Sequence, residues 1–222
     1  MRIAAPSFII PAERLDNVQY LRGLVDEIEL LYFCSRQPED LPDEHEVAQL
    51  ALEPMRYNVH LPYDRDGTLP ATWPMLQKFV DSLRPLEAQT HTLHLQPQRD
   101  FFCQLEAFAG TNAGIISVEN GGDNAHLFDE AAALPVDFCV DVGHMIHFRR
   151  DVEAVLTGHQ ERITLLHLHG SNGRRDHRSL KGVDPGLLRT VKQFALEREL
   201  TICLEIFQEE ALRESIDLLR DL

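Results

Sequence analysis

The sequence contains no run of about eighteen apolar residues, the shortest segment that normally spans a membrane as a helix. Residues 1–6 also lack a basic segment followed by an apolar stretch, which is the pattern of an export signal. Basic residues are few: 21 Lys and Arg stand against 36 Asp and Glu, for a formal charge of -15. These features predict a cytoplasmic protein with no membrane partner, whose surface repels nucleic acid.

Two kinds of motif are missing as well. No G-x-G-x-x-G or Walker-type glycine loop follows an early strand, which disfavours a nucleotide-binding open sheet. An open doubly wound sheet is nevertheless the alternative architecture. No C-x-x-C pair occurs, and the apolar surroundings of the cysteines predict buried thiols in a reducing compartment; they are Cys34, Cys103, Cys139 and Cys203.

The chain alternates short β-like runs with longer amphipathic segments from one end to the other. At 222 residues, with 44% hydrophobic residues, it is predicted to form one domain covering residues 1–222. The predicted strands are residues 3–8, 29–33, 57–61, 90–95, 114–119, 138–141, 163–169 and 201–206. The clearest predicted helices are residues 15–25, 75–83, 101–109, 187–196 and 210–219. Eight strands with helical crossovers predict a closed (β/α)₈ barrel.

Polar side chains of the types that bind metals stand where the predicted strands end. In a parallel barrel those ends share one face, where side chains converge on a single site. Burying several charges there without a partner is costly, so a bound cation is the economical explanation. The residues are His60, His94, Glu119, Asp141, His167 and Glu205.

Further candidates lie close to these strand ends. His144 follows Asp141 by three residues, so the next loop can bring an imidazole beside the carboxylate. His169 shares a strand face with His167 and is predicted to contact substrate or solvent. Asp176 and His177 join the cluster if their loop folds inward.

The loop after the seventh strand concentrates positive charge in an otherwise acidic chain. Its cations are Arg174, Arg175, Arg178 and Lys181. Guanidinium groups offer paired donors to phosphate oxygens, so this loop is predicted to bind an anionic group of the substrate. A solvated loop without such a role is the alternative interpretation.

Several of these segments together resemble the xylose isomerase-like barrels, which include apurinic endonuclease-type metallohydrolases as well as sugar isomerases and epimerases. The resemblance covers nearly the whole chain. Within that superfamily the chain looks most like the cobamide-remodelling phosphodiesterases, in the segments SFIIPA (7–12), NV (17–18), ELL (29–31), VHLP (59–62) and LHLHG (166–170).

The resemblance implies a site with two or three divalent ions. Its ligands are implied to be His60, His94, Glu119, Asp141, His144, His167, Asp176, His177 and Glu205. Imidazole-rich coordination suits Zn²⁺, with Mn²⁺ or Fe²⁺ as alternatives. The candidate catalytic residues are Glu119, Glu205 and His144, with Glu119 placed to bridge ions and orient the attacking water.

The expected activity is hydrolysis of a small phosphodiester, with a corrinoid nucleotide, a cobamide, as the expected substrate. The alternative is a sugar isomerase or epimerase with one metal ion. By resemblance to such members of the same superfamily, its ligands would be only Glu119, Asp141, His167 and Glu205. The additional imidazoles of His60, His94 and His177 favour hydrolysis over this alternative. A metal- or corrinoid-binding module without turnover is a third possibility.

Overall fold

The computed structural model describes residues 1–35, 40–62 and 73–222, and in these ranges it forms a closed barrel of eight parallel strands. Each strand pairs with the next along the chain, and the last pairs with the first through Ile3 and Ile202. The strands are β1 (Arg2–Pro6), β2 (Glu27–Leu31), β3 (Arg56–His60), β4 (His91–His94), β5 (Ile116–Glu119), β6 (Asp137–Asp141), β7 (Ile163–Leu168) and β8 (Thr201–Leu204). The predicted (β/α)₈ barrel is confirmed, and the open sheet is excluded.

Helices cover the outside of the barrel. They are α1 (Arg14–Leu21), α2 (Glu44–Leu50), α3 (Trp73–Leu83), α4 (Arg99–Thr111), α5 (Phe128–Ala131), α6 (Val142–His147), α7 (Val152–Gly158), α8 (Pro185–Glu197) and α9 (Glu209–Asp221). Each of the five predicted helices is present, although the first ends at Leu21, four residues before its predicted end. Among the described helices, none is both long and apolar enough to cross a bilayer.

The main hydrophobic core lies between the strands and these helices, and a small second cluster fills the barrel interior. Ala4, Cys139, Leu165 and Cys203 form that inner cluster, so two of the predicted buried thiols are buried. The prediction is wrong for Cys34 and Cys103, which are exposed. Cys34 lies in the segment after β2, and Cys103 lies on the solvent face of α4.

Glu27 closes the barrel at the amino-terminal ends of the strands. Its Oε1 pairs with Arg2 at 2.6 Å and with Arg56 at 2.8 Å. Its Oε2 accepts hydrogen bonds from Asn58 Nδ2 at 3.0 Å and Thr201 Oγ1 at 2.8 Å. Glu27 is thus a fully partnered carboxylate at the end of the barrel opposite the carboxyl-terminal ends of the strands.

Candidate metal centre and active site

Four successive strands bring acidic and imidazole groups together at the carboxyl-terminal end of the barrel. One ligand atom from each of Glu119, Asp141, His167 and Glu205 lies within 4.8 Å of the others. Glu119 ends β5, Asp141 ends β6, His167 lies in β7, and Glu205 directly follows β8. All four side chains are buried. We call these four residues the tetrad.

The tetrad has the donors that a divalent cation requires. His167 Nδ1 lies 3.2 Å from Glu119 Oε1 and 3.7 Å from Glu205 Oε2. Glu119 Oε2 and Asp141 Oδ2 are buried and make no hydrogen bond of good geometry, although imidazole nitrogens lie nearby. Buried carboxylate oxygens without full hydrogen bonding are costly, and mixed carboxylate and imidazole donors suit Zn²⁺, Mn²⁺ or Fe²⁺. The residues therefore fit a divalent ion.

The buried charges of the tetrad act on one another. Burial raises the pKa of Glu119, but the imidazoles of His167 and His94 more than offset this and hold it well below its usual range. Burial also raises the pKa of Glu205, and here the effect of burial exceeds that of His167 and His177, so the pKa stays raised. The two carboxyl groups thus differ in proton affinity.

His60 and His94 lie beside the tetrad and point their Nε2 atoms at each other, 3.1 Å apart. Glu119 Oε2 lies 3.3 Å from His60 Nε2 and 3.6 Å from His94 Nε2. Ligand atoms of a tetrahedral ion with bonds of about 2.1 Å lie roughly 3.4 Å apart, so the three atoms are spaced as ligands. His60 Nδ1 faces the Leu61 carbonyl oxygen at 2.9 Å, which favours a proton on Nδ1 and a lone pair on Nε2.

The pKa values of this histidine pair are displaced in opposite directions. Burial lowers the pKa of His60, but Glu119 more than offsets this and raises it to about 9. Burial lowers the pKa of His94 to about 4, and Glu119 offsets only part of this. A cation bound by His60 Nε2, His94 Nε2 and Glu119 Oε2 would take the place of the proton that these three atoms otherwise share.

A third group consists of His144, His169 and His177, whose ligand nitrogens also lie within 4.8 Å of one another. The spacing of Asp141 and His144 has a local cause: Asp141 is the N-cap of α6, and its Oδ1 accepts from the His144 backbone N–H at 2.8 Å. This places the His144 ring over the capping carboxylate, with Nδ1 2.8 Å from Oδ2. Burial lowers the pKa of His144, but Asp141 more than offsets this and raises it to about 10.

The loop after β7 folds over this third group as a short hairpin. Gly170 and Arg178 exchange both backbone hydrogen bonds, at 2.7 and 3.0 Å. Asn172 Oδ1 accepts from the backbone N–H groups of Arg174 and Arg175, which fixes the tip. The loop therefore turns inward, which was the condition for Asp176 and His177 to join the cluster.

Asp176 and His177 occupy the inner side of this hairpin. Asp176 Oδ2 lies 3.7 Å from His144 Nε2, and His177 Nδ1 lies 2.9 Å from the Glu205 carbonyl oxygen. His177 has a φ of 49°, a left-handed conformation that costs energy for a residue with a Cβ. The hairpin and the ring contact with Phe207, at 5.0 Å between centroids, hold it there.

The four cationic residues predicted to bind an anion differ in whether they already have an acidic partner. Arg174, Arg175 and Arg178 are exposed, and no acidic group of the described residues pairs with them. Lys181 is 74% exposed and its Nζ lies 2.6 Å from Glu214 on α9. The three arginines are therefore available to an anion near the site, whereas Lys181 already has an acidic partner.

One buried acidic residue of this region is absent from the predicted site. Glu29, in the middle of β2, is fully buried, and its Oε1 lies 2.9 Å from His167 Nε2. Burial raises its pKa, but His167 more than offsets this and lowers it. The available signal was an acidic residue inside an apolar strand, on the same face as Glu27 and Leu31.

No protein family model matches the chain, and no curated protein matches it in sequence. Solved structures do match its fold. A D-tagatose 3-epimerase-like protein is 14% identical, with a TM-score of 0.76, over 100% of this chain and 96% of that one. D-allulose 3-epimerase from Methylomonas sp. is 15% identical, with a TM-score of 0.71, over 99% and 93%. A sugar phosphate isomerase/epimerase from Parabacteroides distasonis is 12% identical, with a TM-score of 0.70, over 97% and 92%.

These matches correct the expected activity. The fold is shared with these sugar epimerases and isomerases and not with a phosphodiesterase named above, so the prediction of a hydrolase acting on a phosphodiester is wrong. They give no support to a corrinoid substrate or to the cobamide-remodelling family. The physical reason is that isomerisation and hydrolysis use the same strand ends of this barrel, so additional imidazoles do not by themselves select hydrolysis.

Proposed function

We propose that the protein is a divalent-metal-dependent epimerase or isomerase of a small sugar. The observation that carries the proposal is the convergence of Glu119, Asp141, His167 and Glu205 within 4.8 Å at the end of a barrel. The structural match to sugar epimerases over the full chain supports it.

Glu119 and Glu205 are the proposed acid and base. They lie on β5 and directly after β8, so they can approach a bound sugar from two sides. One carboxylate removes a proton from the carbon beside the sugar carbonyl, and the other carboxyl group returns a proton. An ion held by the tetrad would polarise the carbonyl oxygen and so acidify that carbon.

His144 is the third proposed catalytic residue, and His169 is proposed to contact substrate. Asp141 contacts His144 Nδ1, and His144 Nε2 faces the hairpin, so when no ion is bound at Nε2 a protonated His144 can donate a hydrogen bond from it to a sugar hydroxyl. The exposed arginines of the hairpin, Arg174, Arg175 and Arg178, are proposed to bind a phosphate carried by the sugar. Lys181 can bind the same phosphate only if its ion pair with Glu214 breaks.

The number of ions is a separate part of the proposal. The tetrad is proposed to hold the ion needed for isomerisation. The pair His60 and His94 with Glu119, and the group of His144 and His177 with Asp176, are proposed as further sites, giving two or three ions in all. Their imidazole content favours Zn²⁺, with Mn²⁺ or Fe²⁺ as alternatives.

We also propose that the protein works in the cytoplasm. The four cysteines form no disulfide, and Cys34 and Cys103 are exposed thiols. Exposed thiols persist in reducing compartments, which supports this assignment.

The direct test follows exchange of carbon-bound hydrogen. Free ketoses (D-allulose, D-tagatose and D-fructose) and their 6-phosphates are incubated with the metal-loaded protein in D₂O, and deuterium incorporation at C3 and C1 is followed by NMR. Glu119→Gln and Glu205→Gln should each slow exchange by about 100- to 10,000-fold. The control is Glu161→Gln, because Glu161 is exposed on the loop before β7. Absence of exchange with every sugar would refute the proposal.

Two further variants separate the tetrad ion from the others. His60→Asn and His94→Asn should lower the zinc content by about one ion per chain while leaving exchange within a few-fold of the parent. Loss of exchange in both variants would show that the tetrad does not suffice for the reaction. A preference for the phosphorylated sugar that falls in Arg174→Ala and Arg175→Ala would support the proposed phosphate site, and equal rates on both forms would contradict it.

A further inference from the structure

Glu29 differs from Glu27, the other buried carboxylate of β2, because no arginine or lysine of the described residues pairs with it. Among the described residues its one ion pair is with His167, whose Nε2 lies 2.9 Å from Glu29 Oε1. Both side chains are fully buried. The two residues are 138 positions apart, so the contact depends on the closed barrel and not on local sequence.

Glu27 shows what a purely structural carboxylate looks like in the same strand. It stands two residues earlier on the same face of β2, it is equally buried, and it is paired with Arg2 and Arg56. Glu29 lies deeper along the barrel toward the tetrad and faces an imidazole instead. The difference in partners indicates a different role.

The two nitrogens of His167 face different environments. Nε2 faces Glu29, whereas Nδ1 faces Glu119 Oε1 at 3.2 Å and Glu205 Oε2 at 3.7 Å. A histidine that binds a cation through one nitrogen carries its proton on the other, and an acceptor at that position fixes the tautomer. Oε1 of Glu29 is such an acceptor, so the proton belongs on Nε2 and the lone pair on Nδ1.

The second oxygen of Glu29 is occupied as well. Cys203, on β8, points its thiol at Glu29 Oε2 with an Sγ–Oε2 distance of 3.3 Å. Both oxygens of the carboxylate are therefore engaged inside the barrel, on the Nε2 side of the His167 ring. Its effect on the site must pass through His167.

We propose that Glu29 is a positioning residue that orients His167 Nδ1 toward the tetrad ion and strengthens its binding. The chain from Cys203 through Glu29 to His167 holds the ring at a fixed angle and adds negative charge behind it. This inference rests on the proposed metal centre, and it concerns metal affinity and the His167 tautomer rather than turnover.

The test measures Zn²⁺ affinity by competition with a chromophoric chelator, without any sugar, for Glu29→Gln and Glu27→Gln. Glu29→Gln should weaken Zn²⁺ binding by about 10- to 100-fold, the usual effect of losing a carboxylate behind a histidine ligand. Glu27→Gln, the matched control, should destabilise the fold but leave Zn²⁺ affinity unchanged. Equal Zn²⁺ affinity in the parent and in Glu29→Gln would overturn the proposal.

A second readout follows the histidine itself. Long-range ¹H–¹⁵N spectra, with the His167 signals assigned by comparison with His167→Gln, report which ring nitrogen carries the proton. The parent should show a protonated Nε2 and a Zn²⁺-induced shift at Nδ1. Glu29→Gln should show a mixture of tautomers, and Cys203→Ala should fall between the two. An unchanged tautomer in Glu29→Gln would overturn the inference even if the variant lost affinity through altered stability.

These outcomes are distinguishable from failure of the proposed function. If the parent shows the Nδ1 shift and Glu29→Gln loses it, Glu29 is a positioning residue whether or not any sugar reacts. If the parent shows no Nδ1 shift with Zn²⁺ at all, His167 binds no ion, and the inference about Glu29 falls with the metal centre.

Discussion

The ring of His169 lies directly against the Cα of Gly143, leaving space for a hydrogen atom but none for a methyl group. A Cβ at position 143 would overlap three ring atoms of His169. Gly143 is in α6, one residue before His144, and His169 is in the segment after β7. The glycine therefore lets two imidazoles from different elements share the site, at 5.2 Å between ring centroids.

Gly143→Ala is predicted to displace the His169 ring while leaving the barrel intact. The ring is buried and cannot leave freely, so the variant should lose about 1–3 kcal/mol of unfolding free energy, the usual cost of overpacking. Circular dichroism should stay unchanged, whereas the long-range ¹H–¹⁵N signals of His169 should shift.

The control for this prediction is Gly110→Ala in α4. An added Cβ there meets nothing within 4 Å, so the helix should gain stability by up to about 1 kcal/mol. Equal effects of the two alanines in urea unfolding would show that the contact between Gly143 and His169 has no energetic weight.

The strands and the strand-end residues could be predicted from the sequence because both depend on local patterns. A run of apolar residues that ends in His, Asp or Glu marks the rim of a barrel, and Glu119, Asp141 and His167 follow this pattern. The short helices α2 and α6 were not among the predicted helices, because they contain too few apolar residues to show helical periodicity. For example, α2 buries only Val47 and Leu50.

Glu29 and the inward fold of the hairpin after β7 depend on contacts between distant residues. An acidic residue in an apolar strand marks Glu29 as unusual, but its partner His167 is 138 residues away and cannot be identified from the neighbouring sequence. The inward turn of His177 depends on the pairing of Gly170 with Arg178 and on the Asn172 turn. The type of reaction also could not be predicted from the sequence, because one set of strand-end ligands serves several reactions.

Glu27→Gln is predicted to destabilise the barrel by about 2–3 kcal/mol, because it removes the buried charge that Arg2 and Arg56 share. Both arginines are partly exposed, so water compensates for part of the lost interaction. Urea unfolding measures the loss. Glu161→Gln removes an exposed partner of Arg198 and should cost less than about 1 kcal/mol. A similar small cost for both variants would mean that the closed end of the barrel does not depend on Glu27.

His91 is predicted to make the fold sensitive to acid. Burial lowers its pKa from 6.5 to about 4, and neither ring nitrogen has a hydrogen-bond partner among the described residues. The imidazole of His91 binds a proton less readily in the folded protein than in the unfolded chain. Above about pH 6.5 it is neutral in both states, so it does not change the free energy of unfolding there. Stability then falls as the pH drops from 6.5 to 4, by up to about 3 kcal/mol.

The measurement for His91 is urea unfolding between pH 7 and pH 4.5. His91→Leu should remove part of the decline, whereas His45→Gln, at an exposed histidine of α2, should leave the decline unchanged. Parallel curves for the parent and His91→Leu would contradict the prediction.

Adding Zn²⁺ or Mn²⁺ is predicted to raise the melting temperature of the chelator-treated protein. The buried site gathers the carboxylates of Glu29, Glu119, Asp141 and Glu205, and a bound cation offsets their mutual repulsion only in the folded state. Free ion at about 1,000 times its dissociation constant stabilises a fold by about 4 kcal/mol, or roughly 10 °C for a chain of this size. Asp141→Asn is the sharpest test, because asparagine still caps α6 while removing the charge. Its melting temperature should rise clearly less with Zn²⁺, and a rise equal to that of the parent would place the ion away from Asp141.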